Sequence, residues 1–349
     1  MDWRRGARAC VVVAMLGVLL VACGGAAPAA LIHAPLAPAR LPARAVAAAG
    51  IAPTASPVAT PGGGCGHASP VAPGTSADLA VAADPARARG RRDRIYRVHV
   101  PTAYRPDHPL PAVLVFHGHG ATAAGMESAT GFSRLADREG FLAVYPQALP
   151  DVHGWTFWDS AEQGDYGIDD VQYVANVLDA VQRTWCVAPR QIYATGFSNG
   201  GGLVGLLACR LAGRIAAFAP VSGSFPDTPG GCHPARPVPI LDIHGAADRT
   251  VPYDGTTHLW NEVSLLPPIP VWLWGWAARD SCTSGPDVFL QSDGVTGERW
   301  TGCRGDATVV HYRLADGGHA WPVTIDGRAG NAVIWDFFGS TRYEVRSTN

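Results

Sequence analysis

The chain has 349 residues, 27 basic and 29 acidic, for a formal net charge of −2, and 47% of its residues are hydrophobic. That balance excludes the basic footprint of a nucleic-acid-binding protein, and the apolar share excludes a chain that is disordered throughout. Every basic residue is arginine, which points to GC-rich coding and not to a function.

Arg4, Arg5 and Arg8 precede an apolar run over residues 11–21 that is too short to cross a bilayer, so residues 1–22 read as an export signal. Leu20-Val21-Ala22-Cys23 resembles a lipobox, which makes Cys23 the expected lipidation site; the alternative is an ordinary secretory signal cleaved nearby. Either way the mature protein is expected outside the cytoplasm, held by lipid at the cell surface or the periplasmic face. Residues 23–76 are rich in Ala, Pro and Gly. Too little apolar surface is present there to offset ordering entropy, and a flexible tether is expected. Residues 77–349 remain for one folded domain with a large core.

Within that domain, strand-like runs alternate with amphipathic helices. Residues 95–100 alternate apolar and polar, as an antiparallel edge strand would. Residues 112–116, 141–145 and 240–243 are almost wholly apolar, as strands covered on both faces would be. Val171, Val174, Leu178, Val181 and Trp185 recur at helical spacing, and Asp169 or Asp170 would cap that helix. Residues 191–195 read as a buried strand, 199–211 as a helix of small residues, 308–314 as a last strand and 331–338 as a closing helix. Between residues 260 and 304 five tryptophans occur with little periodicity, and an insertion near the site is expected. The alternation predicts an α/β fold with a mostly parallel, doubly wound central sheet flanked by helices.

The chemistry starts at Gly196-Phe197-Ser198-Asn199-Gly200, a G-x-S-x-G placed between a strand and a helix. There the pattern forms the sharp turn that presents a serine hydroxyl in an α/β-hydrolase. A serine hydroxyl is a poor nucleophile at neutral pH and needs a base, an acid to orient it and an anion trap. In this fold the acid and then the base follow the serine along the chain. Asp248, on the loop leaving the strand at 240–243, is the expected acid, with Asp254 as its competitor. His319 follows paired glycines after the last strand and is the expected base; His258 follows the acid too closely, and His311 sits within the strand itself. The anion trap should use the amide of Asn199 and one from His117-Gly118-His119-Gly120. His119 is the assigned donor, with Gly118 and Gly120 as alternatives. His117 and His119 could chelate a metal, but no third ligand is evident nearby, and no metal is expected.

Eight cysteines include Cys10 in the signal and Cys23; the other six are expected to form disulfides in an exported chain. Cys186 precedes the nucleophile strand and Cys209 lies about three turns along the returning helix. If the strand has about six residues, strand and helix cover similar distances, and Cys186–Cys209 is the first expected pair. Cys282–Cys303 would pair locally, leaving Cys65 with Cys232.

Together these stretches resemble the LpqC-type extracellular poly(3-hydroxybutyrate) depolymerase-like esterases, relatives of the feruloyl and acetylxylan esterases of carbohydrate esterase family one. The resemblance rests on His117-Gly118-His119-Gly120, the elbow at Ser198, His244-Gly245 to Tyr253, Gly317-Gly318-His319-Ala320-Trp321-Pro322 and Ile334-Trp335-Asp336-Phe337-Phe338. It implies the same triad of Ser198, Asp248 and His319, and ester hydrolysis without a cofactor. The expected substrate is a small-molecule, oligosaccharide or oligoester ester, with membrane contact only through the N-terminal lipid. A tethered chain without a second substrate-binding module points to feruloyl, acetyl or hydroxybutyrate-oligomer esters rather than solid polyester. Trp321 and Trp158, among Trp155, Trp272, Trp274 and Trp276, are the residues expected to line the cleft. A surface lipoprotein using this fold as a binding module is the reading from outside the enzyme class.

Overall fold

A computed structural model describes residues 63–81, 94–162, 169–255 and 266–341. The signal segment, Cys23, most of the tether and His258 lie outside the described residues.

Ten strands form one sheet. They are β1 (Thr75–Val81), β2 (Arg94–Val100), β3 (Leu110–Phe116), β4 (Leu142–Pro146), β5 (Val187–Phe197), β6 (Ala217–Val221), β7 (Ile240–Gly245), β8 (Ser284–Ser292), β9 (Val295–Thr301) and β10 (Val309–Leu314). Their order across the sheet is β1-β2-β4-β3-β5-β6-β7-β10-β9-β8. The six strands from β4 to β10 run parallel, and an antiparallel pair extends the sheet at each end. The parallel strands are apolar on both sides because helices cover both faces. On one face lie α1 (Ala123–Thr130), α2 (Phe132–Glu139) and α6 (Gly330–Ser340), which bury Met126, Phe132, Leu135, Ile334 and Phe338. On the other lie α3 (Asp170–Thr184), α4 (Asn199–Arg210) and α5 (Ile269–Arg279), which bury Val174, Val181, Leu203, Leu207 and Leu273. This is the α/β-hydrolase arrangement.

Several expectations need correction. β2 is not an edge strand, since β1 pairs along its whole length from Thr75 with Val100 to Val81 with Arg94. Residues 269–301 are not an irregular insertion: they form α5 and then the β8–β9 hairpin that widens the sheet. Residues 63–76, assigned above to the tether, are seated on the body. Gly64 donates its amide to the Gln182 carbonyl at the end of α3 (3.1 Å), and Cys65 is bonded to Cys186.

Two of the three expected disulfides also pair differently: the bonds are Cys65–Cys186, Cys209–Cys232 and Cys282–Cys303. The reason is strand length. β5 has 11 residues, so it can rise by about 35 Å, whereas the stretch of α4 from Ser198 to Cys209 rises by only about 17 Å. Cys186 therefore lies well beyond the reach of Cys209, at the end of the sheet where the N-terminal segment arrives.

Candidate active site

Ser198 stands between the end of β5 and the first residue of α4, with φ 57° and ψ −122°. A non-glycine residue in that region carries strain of about 1–3 kcal/mol, and surrounding contacts must hold it. The Ser198 amide donates to the Val221 carbonyl (2.9 Å), and the Ser198 carbonyl accepts from the Gly202 amide (2.9 Å). Gly200 has no room for a side chain, since a Cβ there would lie 2.4 Å from the His117 carbonyl oxygen. α4 thereby starts directly against the loop that follows β3.

β7 and β10 are parallel neighbours, and their outgoing loops carry the two partners of Ser198. The loops run together closely: Ala246 and Ala247 donate their amides to the carbonyls of Leu314 (2.8 Å) and Gly317 (3.0 Å). A Cβ on Gly245 would lie 2.1 Å from the Gly317 carbonyl oxygen, so only glycine permits that approach. The result is a continuous hydrogen-bonded line. Nε2 of His319 is 2.8 Å from Ser198 Oγ, and Nδ1 is 2.8 Å from Asp248 Oδ2. A carboxylate only accepts, so Nδ1 carries the proton and Nε2 accepts from the serine hydroxyl. The other Asp248 oxygen accepts from the amides of Thr250 (2.8 Å) and Val251 (2.9 Å). Burial pushes the Asp248 carboxyl up, but His319 and those two amides outweigh it and hold the pKa below the ordinary aspartate value. His244, fully buried on β7, secures the same turn by donating Nε2–H to the Val251 carbonyl (2.9 Å).

The expected anion-trap residues are adjacent to this line. Asn199 is the first residue of α4, so its amide has no acceptor within the helix. His119 lies in the loop after β3, where a Cβ on Gly118 would come within 3.3 Å of Ser198 Cβ. Gly120 drops out as an alternative donor, because its amide is engaged by the Thr156 carbonyl (2.8 Å).

Trp158 needs a correction. It is fully buried and lines no cleft. Its amide donates to Asn199 Oδ1 (2.7 Å), its carbonyl accepts from Asn199 Nδ2 (2.9 Å), and its indole N–H donates to the His117 carbonyl (2.8 Å). One indole thus ties the elbow to the donor loop. Behind it Asp170 receives Arg94 Nη1 (2.7 Å) and the Asp159 amide (2.7 Å), while Asp169 caps α3 through the Gln172 amide (2.8 Å). Losing one partner of a buried ion pair such as Arg94–Asp170 costs about 3–5 kcal/mol. Arg94 lies 76 residues from Asp170, and no sequence signal joins them.

His117 is buried as well. Its Nε2 accepts from the Ala148 amide (3.1 Å), and its Nδ1–H donates to the Gly118 carbonyl (2.8 Å). Burial, the dominant cause, lowers its pKa to about 4, so it is neutral at pH 7. Of the remaining tryptophans, Trp321 is half-buried edge-on against Phe132. Trp272 stacks on Phe225 at 3.7 Å and, with Trp276, borders a cavity of about 560 Å³ beside α4 that neither Ser198 nor His319 lines. Among the described residues no cluster of three or more His, Cys, Asp or Glu side chains could hold a metal.

Deeper in the same two strands lies a second aspartate–histidine pair. His311 Nδ1 is 3.0 Å from Asp242 Oδ2, and His311 Nε2 is 3.0 Å from the Tyr253 hydroxyl.

Comparison with known proteins gives a consistent picture. Residues 96–245 match the family model described as esterase PHB depolymerase. Feruloyl esterase B of Piromyces equi is 29% identical over 252 residues, which cover 69% of this chain and 44% of that protein. A Nocardia uniformis protein named as an esterase, NocK, is 30% identical over 249 residues, covering 66% of this chain and 71% of that one. The acetyl xylan esterase of Aspergillus awamori superposes with a TM-score of 0.52 at 15% identity, covering 70% of this chain and 93% of that one, which speaks for the fold alone.

Proposed function

Given that this chain belongs to the PHB depolymerase family of esterases and is an ester-hydrolysing enzyme, we propose that it works through an acyl-enzyme formed on Ser198. The observation that carries this reading is the unbroken line from Asp248 through His319 to Ser198, with 2.8 Å at each step. His319 Nε2 takes the hydroxyl proton as Ser198 Oγ attacks the ester carbonyl carbon. Asp248 fixes the imidazole tautomer and stabilises the imidazolium. The amides of Asn199 and His119 receive the negative charge that develops on the carbonyl oxygen. The imidazolium then gives its proton to the departing alkoxide, and the alcohol leaves an acylated serine. Water attacks that ester with His319 as base again, releasing the acid and restoring Ser198.

The substrate is an acetyl or feruloyl ester of a polysaccharide or a hydroxybutyrate oligomer, the classes named for the family and its relatives. The working compartment is extracytoplasmic: three disulfides persist only where the surroundings oxidise, and Cys23 holds the chain by lipid. A strained serine backbone facing a paired histidine serves a nucleophile and has no use in a binding module, which disfavours the non-catalytic reading.

A fluorophosphonate probe tests the mechanism. Peptide mapping should find the label on Ser198 alone, and a folded protein that stays unlabelled would rule the acyl-enzyme out. Methyl ferulate, acetylated xylan and hydroxybutyrate oligomers then rank the substrate.

A further inference from the structure

The segment between β4 and the buried Trp158 holds an exposed aromatic ring in a fixed place. Residues Leu149–Pro150 and Thr156–Phe157 pair as a short antiparallel hairpin. Its turn is closed from within: the Asp151 amide donates to the Trp155 carbonyl (2.7 Å), and Asp151 Oδ1 accepts from the amides of His153 (2.8 Å) and Trp155 (2.9 Å). The hairpin is also fastened to the loop that approaches Ser198. Besides the Gly120–Thr156 bond, the Thr156 hydroxyl donates to the Ala121 carbonyl (2.6 Å).

On this hairpin Trp155 is 58% exposed, whereas Trp158, three residues on, is fully buried. Its ring lies against Gly120, where a Cβ would meet it at 3.0 Å, and its centroid is 6.4 Å from that of His119. The Gly118–Gly120 turn reaches the nucleophile at its other end, where a Cβ on Gly118 would come within 3.3 Å of Ser198 Cβ. Leaving much of an indole in water forgoes apolar burial, and a fold gains nothing from holding it there with three hydrogen bonds. A rigid, open aromatic face with polar groups beside it suits a ring that is apolar on one face and hydroxylated at its edge. A pyranose has that character. A phenolic acyl ring, apolar on both faces, would be better served by an enclosed slot.

We infer that Trp155 is a carbohydrate platform, stacking on a sugar ring of the alcohol portion of the ester while Ser198 attacks the acyl carbonyl. This rests on the saccharide-ester reading above and narrows it, because a linear hydroxybutyrate oligomer has no ring to stack. Asp151 and His153 lie in the same hairpin turn, and His119, from the loop after β3, has Nε2 3.7 Å from Asp151 Oδ2; these side chains offer hydrogen-bonding partners for ring hydroxyls.

The test uses the full-length protein and the variants Trp155→Ala and Trp155→Phe, whose exposed position leaves the fold intact. For acetylated xylo-oligosaccharides, Trp155→Ala should raise KM about tenfold with kcat within twofold, and Trp155→Phe should recover part of the loss. Hydrolysis of p-nitrophenyl acetate should not change in either variant. An unchanged KM on the oligosaccharide, or an equal loss on p-nitrophenyl acetate, overturns the assignment. Titration with xylohexaose, which needs no catalysis, separates this from the mechanism. Binding that depends on Trp155 in a protein that fluorophosphonate fails to label would sink the acyl-enzyme and keep the platform. Absence of xylohexaose binding alongside normal labelling of Ser198 would do the reverse.

Discussion

The two aspartate–histidine pairs of β7 and β10 differ in height along the same two strands. Asp242 and His311 face each other in register within the sheet, whereas Asp248 and His319 stand on the loops that leave it. Both histidines turn Nδ1 to the aspartate and Nε2 to a hydroxyl, but His319 Nδ1 donates to the Asp248 carboxylate (2.8 Å), whereas His311 Nδ1 donates to the Asp242 main-chain carbonyl (3.3 Å). In the inner pair both side chains are fully buried and the hydroxyl belongs to Tyr253; in the outer pair the His319 side chain is 18% exposed and the hydroxyl belongs to Ser198. Burial pushes the Tyr253 hydroxyl up, away from ionising, and the inner chain is closed off from the surface. An aspartate–histidine–hydroxyl line is therefore not a catalyst in itself. The catalytic role proposed for the outer line fits its place where the strands end, because there a substrate can enter and the amides at the start of α4 and in the loop after β3 can meet a developing anion.

Substitutions can break this contrast. Ser198→Ala should lower ester turnover by about 10⁵-fold or more and leave the thermal midpoint unchanged; retained turnover would place the chemistry elsewhere. Asp248→Asn should lower kcat by about 10⁴-fold, since the amide no longer selects the working tautomer. Asp242→Asn is its control, with kcat within a few-fold. A matching collapse in both would erase the distinction between the pairs. His311→Leu should cost about 3–5 kcal/mol in urea unfolding, because it leaves Asp242 buried without its partner, and kcat of the folded fraction should hold.

A third histidine sharpens the point that burial, not residue type, decides the role. His117 has a folded pKa of about 4 against an ordinary 6.5. Between those values the unfolded chain binds the proton and the folded one does not, so stability falls as pH drops from 6.5 towards 4, by about 3 kcal/mol in all. Urea midpoints at pH 7.5 and pH 4.5 measure this, and His117→Gln should flatten the difference. The smallest expected effect is Tyr253→Phe, about 1 kcal/mol of stability with an unchanged pH profile of activity.

The line through Ser198, Asp248 and His319 was legible in the sequence because each residue follows a strand, and strand ends leave local signals. The elbow needs small residues beside the serine. The acid and base loops need glycines where they pass each other, at Gly245 and Gly317. What was not legible has no such signal. Trp158 and Trp155 are the same residue type three positions apart, yet one is a buried strut and the other an exposed face. Only the docking of the hairpin against α4 and the donor loop separates them. The cysteine pairing failed for a related reason: composition marks six half-cystines but not the 11-residue length of β5 that sets which ends meet.

Alternation of apolar runs with helical periods, and the order of serine, aspartate and histidine along the chain, by themselves determined the fold class and the three side chains that the structure brings into one line. Both depend on local backbone geometry, which neighbouring residues dictate. Disulfide partners, the Arg94–Asp170 support, the inner Asp242–His311 pair and the place of each tryptophan were decided only in the folded molecule. They depend on distances between segments far apart in the chain, and those distances exist only once the sheet has closed and the helices have packed on its two faces.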